Sequence, residues 1–209
     1  SLDIGVNSAN RNTIAGTFAL GTNSTLRIGG GGTIPANFST HAIDASSTIE
    51  YYGVAQTVAT LNSSQNYGNL VISGSGLKEV NGNIGIAGNL TVNAGIFSVN
   101  TFTANRTSAG GTLTVANGAA LRISGSGTIP ANYSTHVIGA TSTIEYNGTS
   151  SQTIADLNSG QNYGNLNIYN SVKALGGSIT VGGTIAFGGT PNRLTIGSNT
   201  LTLQGSITG

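Results

Sequence analysis

The chain has 209 residues, of which only 6% are charged, against roughly 25% in an ordinary soluble domain. Net charge is +1, so there is no basic patch for nucleic acid and no acidic tail. Cys, Met and Trp are absent, which excludes a disulfide framework and a thiolate metal site.

Hydrophobic residues still make up 37% of the chain. Disordered compositions pair low hydrophobicity with high net charge, and this chain has neither. No apolar run approaches the ~20 residues that span a bilayer, so no membrane insertion is expected. The chain opens at Ser1 without an apolar leader and reads as a mature product or an internal fragment.

Taken in order, the apolar residues fall in short alternating beats. Leu2-Asp3-Ile4, Phe18-Ala19-Leu20 and Leu26-Arg27-Ile28 come first. Thr48-Ile49-Glu50-Tyr51, Leu70-Val71-Ile72, Ile84-Gly85-Ile86, Leu90-Thr91-Val92 and Phe97-Ser98-Val99 follow. Alternation over three to five residues is the strand period. Gly, Asn and Ser clusters such as Gly29 to Gly32 and Asn81-Gly82-Asn83 separate the beats. They form turns because Gly tolerates positive φ and Asn bonds its own backbone. No stretch reads as an amphipathic helix.

The chain also repeats itself. Leu26 to Glu50 recurs as Leu121 to Glu145 with 19 of 25 positions identical, at an offset of 95. Leu61 to Leu70 recurs as Leu157 to Leu166 at an offset of 96. One residue is therefore inserted near Tyr146-Asn147-Gly148-Thr149, where a turn absorbs it cheaply. Leu77-Lys78 matches Val172-Lys173 and Asn10-Arg11 matches Asn105-Arg106, both at 95. Tandem copies of this kind signal a repeat architecture. The expected fold is all-β: a right-handed parallel β-helix, or β-solenoid, with two tandem repeats of about 95 residues. It forms one continuous domain over 1–209, with copies near 2–96 and 97–192 and a further coil begun over 193–209. An antiparallel sandwich or barrel is the rival, with Asn117-Gly118 as a hairpin turn. Very few charges favour the solenoid, since matched positions stack about 4.8 Å apart and like charges repel.

Ile28, Ile49, Leu70, Ile86, Leu90, Ile123, Ile144 and Leu166 are the expected core. Matched residues of the two copies should be related by a translation of roughly 20 Å, four or five coils at the strand spacing. Leu2, Ile4, Leu201, Leu203 and Ile207 remain in repeat register at the two ends. They are the expected contacts to a further coil, from a longer array or from another copy stacked end to end.

The runs Ser142 to Ile154, Gln161 to Ile168, Gly176 to Phe187 and Arg193 to Gly209 resemble repeats of very large exported bacterial surface proteins. Those are parallel β-helices similar to filamentous adhesins and autotransporter passengers. The resemblance implies an extracellular location and a structural role as fibre, stalk, matrix element or adhesin. It implies no catalytic residue and no cofactor.

Residue by residue, the chemistry is sparse. Ser39, His41 and Glu50 recur as Ser134, His136 and Glu145, so a Ser/His/acid triad can be drawn. No nucleophile elbow accompanies them, and a turn closed by side-chain hydrogen bonds is the simpler reading. Asp3, Asp44, Glu50, Glu79, Glu145 and Asp156 are all the acids, too scattered for a calcium site. Glu50 with Glu79 is the one pair to consider for glycoside hydrolysis, and Glu79 is Ala174 in the second copy. The expectation is therefore a non-enzyme. The alternative is a carbohydrate-binding or polysaccharide-active β-helix touching surface glycans. The recurrent pairs Phe38/Tyr133, Tyr51/Tyr146 and Tyr67/Tyr163 would serve it if exposed, and coil packing if buried.

Overall fold

The computed structural model describes all 209 residues. Every strand pairing in it is parallel, for instance Leu26 with Ile49 and Ile144 with Leu166. Paired residues stand 19 to 24 positions apart in sequence, the length of one coil. This is a β-solenoid, in which the chain winds through three faces per coil.

The first face begins with Leu2–Asp3, Thr25–Ile28, Thr48–Tyr51 and Asn69–Ile72. Leu90–Val92, Gly110–Val115 and Tyr133–Ile138 complete its seven strands. The second face has eight strands, running from Gln56–Val58 through Ala120–Ile123 and Thr143–Tyr146 to Ile207–Thr208. The third is split into small sheets: Thr17–Leu20 with Thr40–Ile43, Ile84–Ile86 with Ala104–Arg106, and Gln152–Ile154 with Val172–Leu175 and Arg193–Thr195.

The sequence pattern explains the strands directly. Each is three to six residues long in most coils, with alternate side chains turned inward, as in the buried pattern of Thr25–Ile28. All eight expected core residues are fully enclosed or nearly so. They belong to a single hydrophobic cluster that runs the length of the solenoid. Small residues hold the corners. A Cβ at Gly53 would lie 1.8 Å from the Gly30 carbonyl oxygen, and one at Gly148 would lie 2.0 Å from that of Gly125. Neighbouring coils therefore meet backbone to backbone at this corner.

One expectation needs correction. Leu26, Ile49 and Leu70 stack on the first face, but their counterparts Leu121, Ile144 and Leu166 stack on the second. Phe18 and His41 pair on the third face, whereas Leu113 and His136 pair on the first. Gln56 and Lys78 pair on the second face, Gln152 and Lys173 on the third. Four coils carry Leu26 to Leu113, and the chain then rounds one corner to reach Leu121. The two copies are thus related by a screw, a rise of roughly 20 Å at the strand spacing combined with a turn of one face. A pure translation would require the repeat to be a whole number of coils.

The inserted residue lies where expected. The turn from Tyr52 to Ala55 is one residue shorter than the turn from Asn147 to Ser151. The Gly53 N–H still donates to the Gln56 side-chain oxygen (2.6 Å) and the Gly148 N–H to that of Gln152 (2.9 Å). Asn117-Gly118 does not close a hairpin. The strands that flank it pair with other coils on adjacent faces.

Candidate functional site

The recurrent polar residues gather at two irregular corners in each copy. The first is the loop Thr33-Ile34-Pro35-Ala36-Asn37, repeated as Thr128 to Asn132. No strand forms over these segments. Side chains add bonds to the coil beneath, beside backbone bonds such as Arg11 N–H to the Ala36 carbonyl (3.1 Å) and Arg106 N–H to the Ala131 carbonyl (3.0 Å). The Ala36 N–H donates to Asn10 Oδ1 (2.7 Å), and Asn37 Nδ2 donates to the Arg11 carbonyl (2.6 Å). In the second copy the Ala131 N–H donates to Asn105 Oδ1 (2.8 Å), and Asn132 Nδ2 to the Arg106 carbonyl (2.9 Å). Asn37 and Asn132 both adopt positive φ, which Asn tolerates better than most residues.

The second corner is a 3-10 turn, Asn62–Ser64 in one copy and Asn158–Gly160 in the other. His41 Nδ1 accepts the Asn62 N–H at 2.9 Å, and His136 Nδ1 accepts the Asn158 N–H at the same distance. Both imidazoles are buried. Burial lowers the pKa of each below its ordinary value.

Two buried amides and two buried amines complete the set. Gln56 Nε2 donates to the Ile28 and Gly32 carbonyls (3.0 and 3.1 Å), as Gln152 Nε2 does to Ile123 and Gly127 (both 3.1 Å). Lys78 lays its stem in the core and donates to the Gly74 and Ser75 carbonyls at 3.1 and 2.7 Å. Lys173 donates to the Gly148 carbonyl at 2.8 Å. Burial lowers the pKa of both amines. Neither copy's Gln or Lys could be read as structural from sequence, because both types are mostly surface residues. Their recurrence at 95 or 96 was the available signal.

The drawn triad does not assemble. Ser39 donates to the Gly16 carbonyl (2.9 Å), and Glu50 accepts from Arg27 Nε (2.7 Å) and the Ser73 hydroxyl (2.5 Å). Glu50 and His41 sit on different faces. Arg27 also bonds Asp3 at 2.9 Å, so charge alternates along that column. The Tyr52 hydroxyl and the Gly5 N–H hold Asp3 below the usual carboxylate range. Arg122 pairs with Glu145 in the second copy (2.7 Å). Glu79 lies on the second face, away from Glu50 on the first. No three His, Asp or Glu side chains lie close enough together to hold a metal ion.

The aromatic question resolves toward packing. Tyr51, Tyr67, Tyr133, Tyr146 and Tyr163 are buried, and burial raises their pKa values. Phe38 is half-buried against Phe18, with ring centroids 5.5 Å apart. Two shallow clefts open at the corners. One of about 230 Å³ is lined by Val99, Phe102, Ile129 and Pro130 among others. A more polar one of about 270 Å³ is lined by Ser64, Gln65, Asn66 and Asn83.

At the ends, Leu2 and Ile207 are exposed, Leu201 and Leu203 half-buried, and Ile4 buried. Leu2–Asp3 and Ile207–Thr208 are the outermost strands of the first and second faces. No helix is long and apolar enough to cross a membrane. No protein-family model matches the chain, and no curated protein or solved structure matches it either. The fold and its corners define the class, a parallel β-solenoid of coils clasped by side chains.

Proposed function

We infer that the chain is a structural segment of an extracellular fibre, stalk or matrix element on a bacterial surface. One observation carries this reading. Polar side chains that recur in both copies make bonds between coils, as Asn37, His41, Gln56 and their counterparts do. A repeated residue used in this way serves the continuity of a rod. Sparse surface charge suits stacked parallel strands for the same reason. A further coil, from the same chain or another copy, would extend the ladder at Leu2, Ile4, Leu201, Leu203 and Ile207 in a heterologous contact.

The polar corner at Gln65, Asn66 and Asn83 favours a second reading, contact with neutral glycans. One experiment separates the two. Antibodies against the purified chain are applied to intact and lysed cells of the source organism, and the chain is run on a glycan array. Labelling of intact cells along surface fibres with a blank array supports the structural role. Labelling of lysed cells alone overturns it, and saturable glycan binding lost in Asn66→Ala shifts the assignment to the second reading.

A further inference from the structure

Where a strand column is continuous, coils are joined by ladder hydrogen bonds. Above Thr40–Ile43 and above Tyr133–Ile138 the next element is a 3-10 turn, which offers no ladder. The junction there depends on side chains. Asn62 and Asn158 donate through Nδ2 to the carbonyls of Phe38 and Tyr133. The Ser63 and Ser159 hydroxyls reach the carbonyls of Ser39 and Ser134 at 3.4 Å. The shortest remaining bond in each junction is the backbone N–H of Asn62 or Asn158 to a histidine Nδ1.

That bond exists only for neutral histidine. The accepting Nδ1 must be bare, so the proton sits on Nε2. An imidazolium has two N–H donors and no acceptor. Protonation would set the Nδ1 donor against the Asn N–H donor within a buried corner. We propose that His41 and His136 are acid-sensitive clasps, and that protonation of each releases the coil junction it bridges.

The surroundings agree at both sites. His41 is enclosed with 3% of its surface exposed, its Nε2 has no hydrogen-bond partner, and the Phe18 ring lies edge-on at 6.0 Å. His136 is 4% exposed. The Pro35 carbonyl faces His41 and opposes the effect of burial without overcoming it, and no charged side chain acts on this ring. Asp156 is the one charged group acting on His136, and its carboxylate opposes the effect of burial without overcoming it. The neutral form is therefore the folded form. Above about pH 6.5, the ordinary histidine value, both clasps hold. As pH falls below that value the unfolded or opened state takes the proton first, and the clasp's stability is lost. Two such junctions, one face apart around the axis, make the rod loosen locally in acid while its continuous faces stay paired. This proposal is independent of where the chain acts.

The test is NMR of the whole chain labelled with ¹⁵N, titrated from neutral to acid pH. Imidazole ¹⁵N shifts should show a bare Nδ1 and a protonated Nε2 at both histidines, titrating below the ordinary range. Hydrogen-exchange protection of the Asn62 and Asn158 amides should fall about tenfold in acid, corrected for intrinsic exchange, as expected for one lost hydrogen bond. The Leu70 and Leu166 amides should keep their protection. Asp156→Asn should move the His136 titration further down and leave His41 in place. His136→Gln should abolish its own site's pH response and spare that of Asn62. A protonated Nδ1 at neutral pH, or Asn amides whose protection ignores the titration, overturns the proposal. The wild-type titration alone decides the matter if the Gln variant fails to fold.

Discussion

The two copies place one sequence in two settings, and the comparison separates what belongs to the coil from what belongs to the face. Arg27 and Glu50 pair on the first face, Arg122 and Glu145 on the second, at the same 2.7 Å. The histidine clasp moves from the third face to the first without changing its length. The three faces are therefore interchangeable as hosts for a given segment. Differences arise from the coil below. Phe38 lies over the first coil and stays half-exposed, whereas Tyr133 has coils beneath it, is 1% exposed and donates to the Ala104 carbonyl at 3.3 Å. The Tyr51 hydroxyl bonds that of Tyr67 at 3.1 Å, while the Tyr146 hydroxyl finds no partner. Tyr67 and Tyr163 keep the same bond in both copies, to the Ala59 and Ala155 carbonyls at 2.5 Å.

Core substitutions should show the largest effects and treat the faces alike. Leu26→Ala and Leu121→Ala each remove an enclosed side chain and should cost about 2–5 kcal/mol by denaturant titration. A large gap between them would mean that the faces are not equivalent hosts. Gln56→Ala and Gln152→Ala come next. Each leaves one N–H and one carbonyl of the corner without a partner, Gly53 and Gly32 or Gly148 and Gly127, while the Ile28 and Ile123 carbonyls keep a backbone donor. The cost should be about 1–3 kcal/mol for each group left buried and unsatisfied, less whatever water recovers.

The tyrosines sharpen the contrast between copies. Tyr51→Phe loses the bond to Tyr67 and should cost about 1 kcal/mol. Tyr146→Phe removes a hydroxyl with no partner and should leave thermal stability unchanged or slightly raised. Equal costs at the two positions would show that the copies share this bond after all. The smallest effect belongs to the surface pair. Arg122→Gln should cost about 0.2–1 kcal/mol, and the difference should shrink as salt is added.

Much of this was legible from alternation alone. Ile28, Ile49, Leu70 and their counterparts read as inward residues because the strand period admits only one dry face, and all are buried. The inserted residue near Gly148 was placed in a turn and lies in one. The corner roles of Gln56, Lys78 and His41 were not legible. A polar residue in a strand beat looks the same whether it meets water or a carbonyl of the next coil. Only its neighbours in space tell the two apart.

The sequence by itself determined that the chain is built of short alternating strands with polar turns and that a segment of about 95 residues occurs twice, while the parallel pairing of those strands was read from the coils themselves. Local alternation and self-similarity are one-dimensional properties, so one dimension suffices to read them. Which face each segment occupies was decided only in three dimensions. It depends on how many residues each coil takes, from 19 between Lys78 and Phe97 to 24 between Leu2 and Leu26. Those lengths are set by corner geometry: Gly53 pressed on Gly30, the loop ending in Asn37, and the turn held by His41. Four coils take 87 residues, from Leu26 to Leu113, so a repeat of 95 exceeds them by about one face, the turn that separates the two copies.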